Sequence, residues 1–495
     1  MPANAFVEMR LDEITKDCGV CSVSGAGNPE ITAICSDSRL AGPGALFIAV
    51  KGFAADGHKY IGTAVGKGAA AVVYQDEEAV GNREEGVVYI QVRSSRHALA
   101  MIAAAFYGNP SRRLTLVGIT GTNGKTTTVT LLHRLFTGLG YHCGLLSTIA
   151  NYIGEKRYEA INTTADPITV NSLLAKMADE GCEYCFMEVS SIGMEQERVT
   201  GLRFRAGIFS NLTHDHLDYH KTFAEYLRCK KMFFDMLPRD AFAITNTDDR
   251  NGMVMVQNTK AEVVTYSCRG IADHTCRIIE ESFDGMLLKI DGRETWCRLI
   301  GQHNAYNILA IYTAAVTLGA DPEEVLVGIS SLTSAPGRLE TIRGPHDLSV
   351  VIDYAHTPDA LENVLRTLRE IAPRRPLICV FGCGGDRDRT KRPEMAEVAG
   401  RLADRVIVTS DNSRTEKTSC IMDDIRKGFG PEASGRTLFI EDREQAIRTA
   451  ILTAAPGSTV LLAGKGHETY QITGTEKRPF VEKDIVSDTL KSIMQ

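Results

Sequence analysis

The sequence predicts an α/β protein of three domains: a small mixed α/β N-terminal domain, a central P-loop ATPase-like domain with a parallel sheet, and a C-terminal Rossmann-like α/β domain. Three observations carry that expectation. The chain has 495 residues, more than the roughly 250 to 300 that one hydrophobic core organises. Apolar strand-like runs alternate with helical stretches through its middle and last parts, the pattern of a parallel sheet with crossover helices. The segment GITGTNGKTT, residues 118–127, stands between the strand-like LTLV and the helix-like VTLLHRLF, where such folds cradle a nucleotide's phosphates.

The elements follow in order. ALFIAV (45–50), AAAVVY (69–74) and GVVYIQV (86–92) read as strands, and ALAMIAAAFYG (98–108) as a helix ending at glycine. Asn109-Pro110-Ser111 breaks the pattern and sets the first boundary, giving an N-terminal domain of residues 1–110. The central domain, 111–343, alternates CFMEV, AGIFS and AFAITN with helices, and SAPGRLE (334–340) interrupts the chain after NILAIYTAAVTLGA. In the last domain, 344–495, four apolar strands each run into a polar loop: LSVVI into DYAHTPD, PLICVF into GCGGDRDRTKR, RVIVT into SDNSRTE, and STVLLA into GKGHETY. Ligands of open parallel sheets bind beyond the carboxyl ends of the strands. Four loops rich in Asp, Arg, Lys and His at such ends point to one site.

Composition narrows the function. A net charge of −7 argues against a nucleic-acid partner. No stretch reaches the roughly 20 apolar residues of a membrane span, and the first residues lack the apolar region of a signal peptide, so a cytoplasmic protein with no membrane partner is expected. A monomer is expected separately, without a signal in the sequence that decides it. The 13 cysteines are an odd count scattered through apolar runs, as reduced thiols would be. The pairs Cys18/Cys21 and Cys182/Cys185 have zinc spacing, but no further Cys or His completes a tetrahedral set.

The phosphate loop brings metal chemistry with it. Gly121 and Gly124 let backbone N–H groups approach an anion, Thr122 and Asn123 lie between them, Lys125 can bridge phosphates, and Thr126, followed by Thr127, offers a hydroxyl to Mg²⁺. Glu188 ends the strand CFMEV and His216 lies in NLTHDHLDYH after another strand, so both can project towards the phosphates. Carboxylate, hydroxyl and phosphate oxygens favour magnesium over zinc. His214 and His220 are read as ordinary hydrogen-bonding histidines.

Together, GTNGKTTT, MEVSS (187–191), NLTHDHLDYH, Asn304 and Asn307 in GQHNAYN, PGRLE, DYAHTPDAL and GKGHE resemble the Mur ligases, which make ATP-dependent peptide bonds on the peptidoglycan precursor. SDSR (36–39), NTTADP (162–167), the Gln196 to Arg198 pattern and DNSR resemble the type that adds the third peptide residue. That resemblance implies addition of meso-2,6-diaminopimelate to the D-glutamate γ-carboxylate of UDP-N-acetylmuramoyl-L-alanyl-D-glutamate, through an acyl phosphate, with ATP and Mg²⁺. It implies metal ligation by Thr126, Glu188, His216 and a carbamylated Lys230, and catalysis by Lys125 with those last three. Asn307, Arg338, Asp353 and His356 would complete the ATP site.

The uridine substrate would be held by Ser38, Arg39, His58, Asn162, Thr163, Thr164, Ser190, Gln196 and Arg198. The amino acid would meet Arg387, Asp411, Asn412, Arg414, Gly464 and Glu468, where arginine's planar fork suits the extra carboxylate of diaminopimelate. The sequence departs from the family pattern at Ile192, Ala165 and Ser413, where histidine, proline and proline are usual. Lysine or ornithine as amino acid, a folylpolyglutamate synthetase, a cyanophycin-type ligase and a non-catalytic nucleotide-dependent binding protein are the alternatives.

Overall fold

The computed structural model of the chain describes residues 9–52, 55–213 and 217–494. These pack as two compact units, 9–213 with 222–265, and 217–221 with 266–494. His214 and His216 lie outside the described residues.

The first unit begins with a five-stranded sheet in the order Val20–Ser24, Val88–Val92, Ala71–Tyr74, Ala45–Ile48, Ala33–Cys35. Only Val20–Ser24 is antiparallel to its neighbour. Ala45–Ile48 and Ala71–Tyr74 are buried at every position because both faces are covered. Leu46, Ile48, Ala71 and Val73 pack with helix Ser95–Phe106, while Phe47, Val72 and Tyr74 pack with helix Ile61–Gly66. Strands covered on both sides read as continuous apolar runs, which is why they stand out in the sequence.

The same unit holds the parallel part of the larger sheet, in which Cys143–Leu146, Tyr184–Glu188, Thr115–Thr120, Ala206–Phe209 and Phe242–Asn246 are successive parallel neighbours. Register places the future site. Glu188 lies opposite Ile119, and Phe209 opposite Thr120, so three strands finish level with the loop at 121–124. Gly118 sits mid-strand because a Cβ there would come within 2.6 Å of Phe233 and 2.8 Å of Phe204.

In the second unit an antiparallel ribbon, His274–Ser282, Gly285–Ile290 and Arg293–Cys297, precedes helices Gln302–Thr317 and Pro322–Ser331. A six-stranded sheet follows in the order Glu340–Arg343, Ser349–Asp353, Thr459–Ala463, Leu377–Phe381, Arg405–Val408, Thr437–Phe439. All four strands expected in this domain are present and parallel. The expected boundary near residue 343 falls at the end of Glu340–Arg343, which pairs antiparallel with Ser349–Asp353; the third sheet therefore starts a few residues earlier. Helix starts obey local chemistry: Asp166, Asp321 and Thr357 each accept from helical N–H groups, with proline at the first helical position. Among the described residues no helix is long and apolar enough to cross a membrane.

Candidate active site

The loop after Thr115–Thr120 is shaped by its two glycines. Gly121 has φ +156°, and a Cβ on it would lie 1.9 Å from Ser210 Oγ. Gly124, at φ +87°, is the N-cap of helix Lys125–Gly138 without any side chain to close the helix end, which leaves its N-terminal N–H groups facing the loop. Lys125 Nζ donates to the carbonyls of Gly121 and Thr122, both at 2.8 Å. Asn211 supports the loop from the neighbouring strand: its Oδ1 accepts from Asn123 N–H at 2.9 Å and its Nδ2 donates to Asn123 O at 3.1 Å. Thr126 and Thr127 are buried in the first helical turn.

Lys230 comes to the same loop from helix Phe223–Asp235. Its Nζ donates to Gly121 O at 2.7 Å and stands 4.7 Å from the centroid of the Tyr226 ring, whose hydroxyl is 3.0 Å from Thr122 Oγ1. The side chain is 1% exposed. Lys231, one residue on, pairs instead with Asp235 at 2.6 Å.

Glu188 lies at the end of the adjacent strand and is also 1% exposed. Its Oε1 accepts from Thr148 N–H at 2.8 Å, while Oε2 is buried without a hydrogen-bond partner. Around it runs a polar shelf: Thr148 Oγ1 donates to Thr163 Oγ1, Thr164 Oγ1 donates to Glu188 O, and Ser190 N–H donates to Thr164 Oγ1. Arg198 closes the shelf by donating to Thr164 O at 2.5 Å and, through Nε and Nη2, to Gln196 Oε1. Asn162 is exposed beside it. Ile192 lies within the short helix Ser191–Glu195, and Ala165 packs on the central core.

In the N-terminal sheet, Ser38 is buried and the exposed Arg39 is held by Asp37. His58 is buried with both nitrogens engaged: Nδ1 lies 2.6 Å from Asp56 Oδ1, and Nε2 accepts from Gln75 and Asp76 N–H. That pattern fixes the Nδ1-protonated tautomer, and makes His58 a brace for the loop rather than a free hydrogen-bonding group.

The second unit gathers its residues at the carboxyl ends of the parallel strands. Asp353 accepts from Leu339 N–H and Ala355 N–H, both at 2.8 Å, and burial raises its pKa against the pull of Arg338. Arg338 and His356 flank the Tyr354 ring, each 4.8 Å from its centroid. Asn307 is buried on helix Gln302–Thr317 and donates to Asn304 Oδ1. Asn412 links the remaining loops. It donates to Glu468 Oε2 at 2.8 Å and accepts at Oδ1 from Lys465 Nζ and Ile472 N–H. Burial pushes the Asp411 carboxyl up, but Lys465 and Arg443 outweigh it and the net pKa is lowered. Arg414 adopts φ +50° and donates from Nη1 to Gly385 O at 2.8 Å, while Arg387 is exposed on the same loop as Gly385. A Cβ on Gly385 would reach 1.9 Å from Ser413 O, and one on Gly464 2.8 Å from Asp411 Oδ2, so both glycines are required for these loops to approach.

Family models match along the chain: the Mur ligase family catalytic domain at residues 30–107, the Mur ligase middle domain at 119–315, and the Mur ligase glutamate ligase domain at 337–466. A relative from Cytophaga hutchinsonii, a UDP-N-acetylmuramoyl-L-alanyl-D-glutamate–2,6-diaminopimelate ligase, is 48% identical over 98% of this chain and 100% of its own length. The chain belongs to the Mur ligase family. A solved structure of a ligase with the same designation superposes with a TM-score of 0.71 at 30% identity, covering 99% of this chain and 100% of the other. Folylpolyglutamate synthase from Mycobacterium tuberculosis, at 19% identity, shares the fold over 73% of this chain and 91% of its own, with a TM-score of 0.59.

This Mur ligase is an ATP-dependent enzyme of peptidoglycan synthesis that works with Mg²⁺. The residues present fit the ion. Glu188 Oε2 is a buried anionic oxygen with no partner, a costly arrangement unless a cation completes it, and the Thr126 hydroxyl offers a second hard donor. Among the described residues no group of three His, Cys, Asp or Glu forms a metal cage. The expected set draws instead on a threonine, on His216 outside the described residues, and on a lysine that becomes anionic only when carbamylated.

Several residues that support the site are not singled out as site residues by the sequence. Thr148, Ser210, Lys465, Arg392 and Glu416 shape the loops from behind: Ser210 Oγ donates to Asn123 O, and the fully buried Arg392 bridges Glu416, Asp424 and Gly384 O. Thr148, Ser210 and Lys465 are polar residues just past an apolar strand, while Arg392 and Glu416 stand further along, at the ends of GCGGDRDRTKR and SDNSRTE, and in neither case does the sequence reveal the partner.

Proposed function

We propose that this Mur ligase joins meso-2,6-diaminopimelate to the D-glutamate γ-carboxylate of UDP-N-acetylmuramoyl-L-alanyl-D-glutamate in the cytoplasm. The observation that carries the choice of amino acid is the meeting of a cation and an anion on Asn412: Arg414 Nη1 lies 3.4 Å from Asn412 O, and Glu468 accepts from Asn412 Nδ2. A guanidinium and a carboxylate so placed suit the carboxylate and ammonium of a second zwitterionic centre. Full-length similarity to diaminopimelate ligases supports the same reading.

In the proposed reaction the γ-phosphoryl group passes from ATP to the glutamate carboxylate, giving an acyl phosphate and ADP. The free amine then attacks the carbonyl carbon, and phosphate leaves as the amide forms. Both steps concentrate negative charge, so preorganised cations and N–H dipoles supply much of the rate. Lys125 and the N–H groups of residues 121–127 hold the phosphates. Thr126, Glu188, His216 and carbamylated Lys230 would hold Mg²⁺, which neutralises phosphate charge when bound. Asn307, Arg338, Asp353 and His356 are proposed ATP contacts. Ser38, Arg39, Asn162, Thr163, Thr164, Ser190, Gln196 and Arg198 are proposed contacts of the uridine substrate, with His58 supporting the loop; Arg387, Asp411, Asn412, Arg414, Gly464 and Glu468 would bind the amino acid. The three domains are proposed to divide near residue 110 and at the turn preceding Glu340, a division supported by the separate sheets.

The test is phosphate release with the uridine dipeptide substrate and Mg-ATP, supplying meso-diaminopimelate, L-lysine and L-ornithine separately. Release with diaminopimelate alone is expected. Release with lysine or ornithine instead would refute the selector, and no release with any of the three would refute the ligase reading.

A further inference from the structure

Arg443 and Glu482 take no part in the chemistry above, yet both side chains are 0% exposed and paired at 2.8 Å through Arg443 Nε and Glu482 Oε1. Arg443 is the first residue of helix Arg443–Leu452, and Glu482 opens the last helix, Glu482–Met494. The other two guanidinium nitrogens reach main-chain carbonyls: Nη1 donates to Ser410 O at 3.1 Å, and Nη2 to Ala463 O at 2.9 Å.

Those two carbonyls belong to the residues immediately before Asp411 and Gly464. Their strands, Arg405–Val408 and Thr459–Ala463, are not neighbours, because Leu377–Phe381 runs between them. Val408 and Ala463 each pair with Phe381, so the ladders fix the strands only up to that level. No direct ladder joins Ser410 to Ala463, and one rigid guanidinium spans the two where the chain leaves the sheet. The gap is tight. A Cβ on Gly382, at the end of the intervening strand, would lie 2.4 Å from Thr409 O, and one on Gly464 would lie 2.8 Å from Asp411 Oδ2 and 4.0 Å from Arg443 Nη2.

Stability alone does not account for this pair. Two buried charges carry a desolvation cost that well-packed apolar side chains of similar volume avoid, and Glu482 Oε2 is buried without a hydrogen-bond partner. A planar fork with three directed donors does what an apolar replacement cannot, which is to fix two carbonyls at set positions.

We propose that Arg443, oriented by Glu482, is a positioning residue that sets the spacing between the Asp411 and Gly464 loops, and thereby the grip of this site on the distal end of the diamino acid. The proposal rests on the amino-acid site described under Proposed function. Displacement of a binding loop by about an ångström is enough to cost a large factor in substrate use.

Two variants of the full-length enzyme test it. R443K keeps the buried charge pair but loses the fork; R443M/E482L removes both charges and fills the space. Steady-state kinetics for all three substrates is paired with thermal unfolding and amide hydrogen exchange read by mass spectrometry. In both variants the KM for meso-diaminopimelate is expected to rise about tenfold or more, with the KM for ATP and for the uridine substrate changed less than about twofold. Exchange is expected to quicken in peptides covering 410–413 and 463–466. If R443K is folded and shows wild-type exchange there and a wild-type KM for the diamino acid, the proposal is overturned; a parallel rise in all three KM values overturns it too, since that marks a purely structural pair. Were the wild-type enzyme itself to use no diamino acid, the ligase reading would fall, while the exchange comparison would still decide whether Arg443 sets the loops.

Discussion

The Nζ of Lys230 donates to the main-chain carbonyl of Gly121 across 2.7 Å, with both residues buried. This places the amine at the base of the phosphate loop, where a carbamate would bring an anionic oxygen to the metal. Lys230→Ala is expected to lower turnover by about 10²-fold or more, with partial recovery on adding acetate or formate, whose carboxylate can occupy the vacated space. Intact-protein mass spectrometry in bicarbonate should show one added CO₂ on wild type and none on the variant. Lys231→Ala, which breaks only the exposed pair with Asp235, should behave as wild type. An active K230A enzyme without added carboxylate would remove Lys230 from the mechanism.

Glu188→Gln separates charge from shape. Glutamine's Oε1 can still accept from Thr148 N–H, so the strand end should hold, while the unpartnered oxygen is replaced by a neutral amide. The Mg²⁺ concentration for half-maximal activity is expected to rise about tenfold or more. The thermal midpoint should change little, because an unpartnered buried oxygen is exchanged for unpartnered buried amide N–H groups. A Mg²⁺ titration with unchanged midpoint would show that Glu188 does not hold the ion.

Much of this was legible in the sequence, for physical reasons. The parallel strands are covered on both faces and so appear as unbroken apolar runs such as LSVVI and STVLLA; the loops beyond them bear the polar residues. The ribbon at 274–297 was not legible, since His274–Ser282 alternates poorly between exposed and buried positions and carries charge. Glu340–Arg343 was missed as a strand of the third sheet because it is a partly exposed edge. Motifs identified the residues of the phosphate loop and of the DNSR loop, but not those that hold them. That Lys125 rests on two loop carbonyls, or that His58 has both nitrogens engaged, depends on partners far away in sequence, and no local spacing encodes them.

Arg414 sits at φ +50°, a conformation that costs a residue with a Cβ about 1 to 2 kcal/mol and glycine little. Arg414→Gly and Arg414→Ala both remove the guanidinium and its bond to Gly385 O, but only glycine relieves the backbone. The glycine variant is therefore expected to be more stable than the alanine variant by about 1 kcal/mol in denaturant unfolding. Both should lose the preference for diaminopimelate over lysine by about tenfold or more. Retained preference in either variant would show that another group reads the second carboxylate.

His467 gives the fold an acid-sensitive point. Its Nδ1 is buried without a hydrogen-bond partner, its ring lies 4.8 Å from that of Tyr354, and burial, reinforced by Arg338 and His356, pushes its pKa down to about 4. In the unfolded chain the same imidazole titrates near 6.5. Between these values the unfolded state binds a proton that the folded state does not, so stability increases with pH across the window and is lost as pH falls from about 6.5 towards 4. Below that range both states are protonated and this contribution is flat. Glu416 acts in a different range: Arg392 and the Asp386 N–H hold its carboxyl at about 2, so its contribution is present above the usual glutamate range and is lost only as pH falls through the lower value. His303 is lowered by burial to about 4 as well, so His467→Gln should reduce, without abolishing, the dependence of the thermal midpoint on pH between about 4 and 6.5 and leave the steeper acid limb below it in place. If wild type and variant trace parallel curves through that window, the His467 imidazole contributes nothing to the sensitivity there.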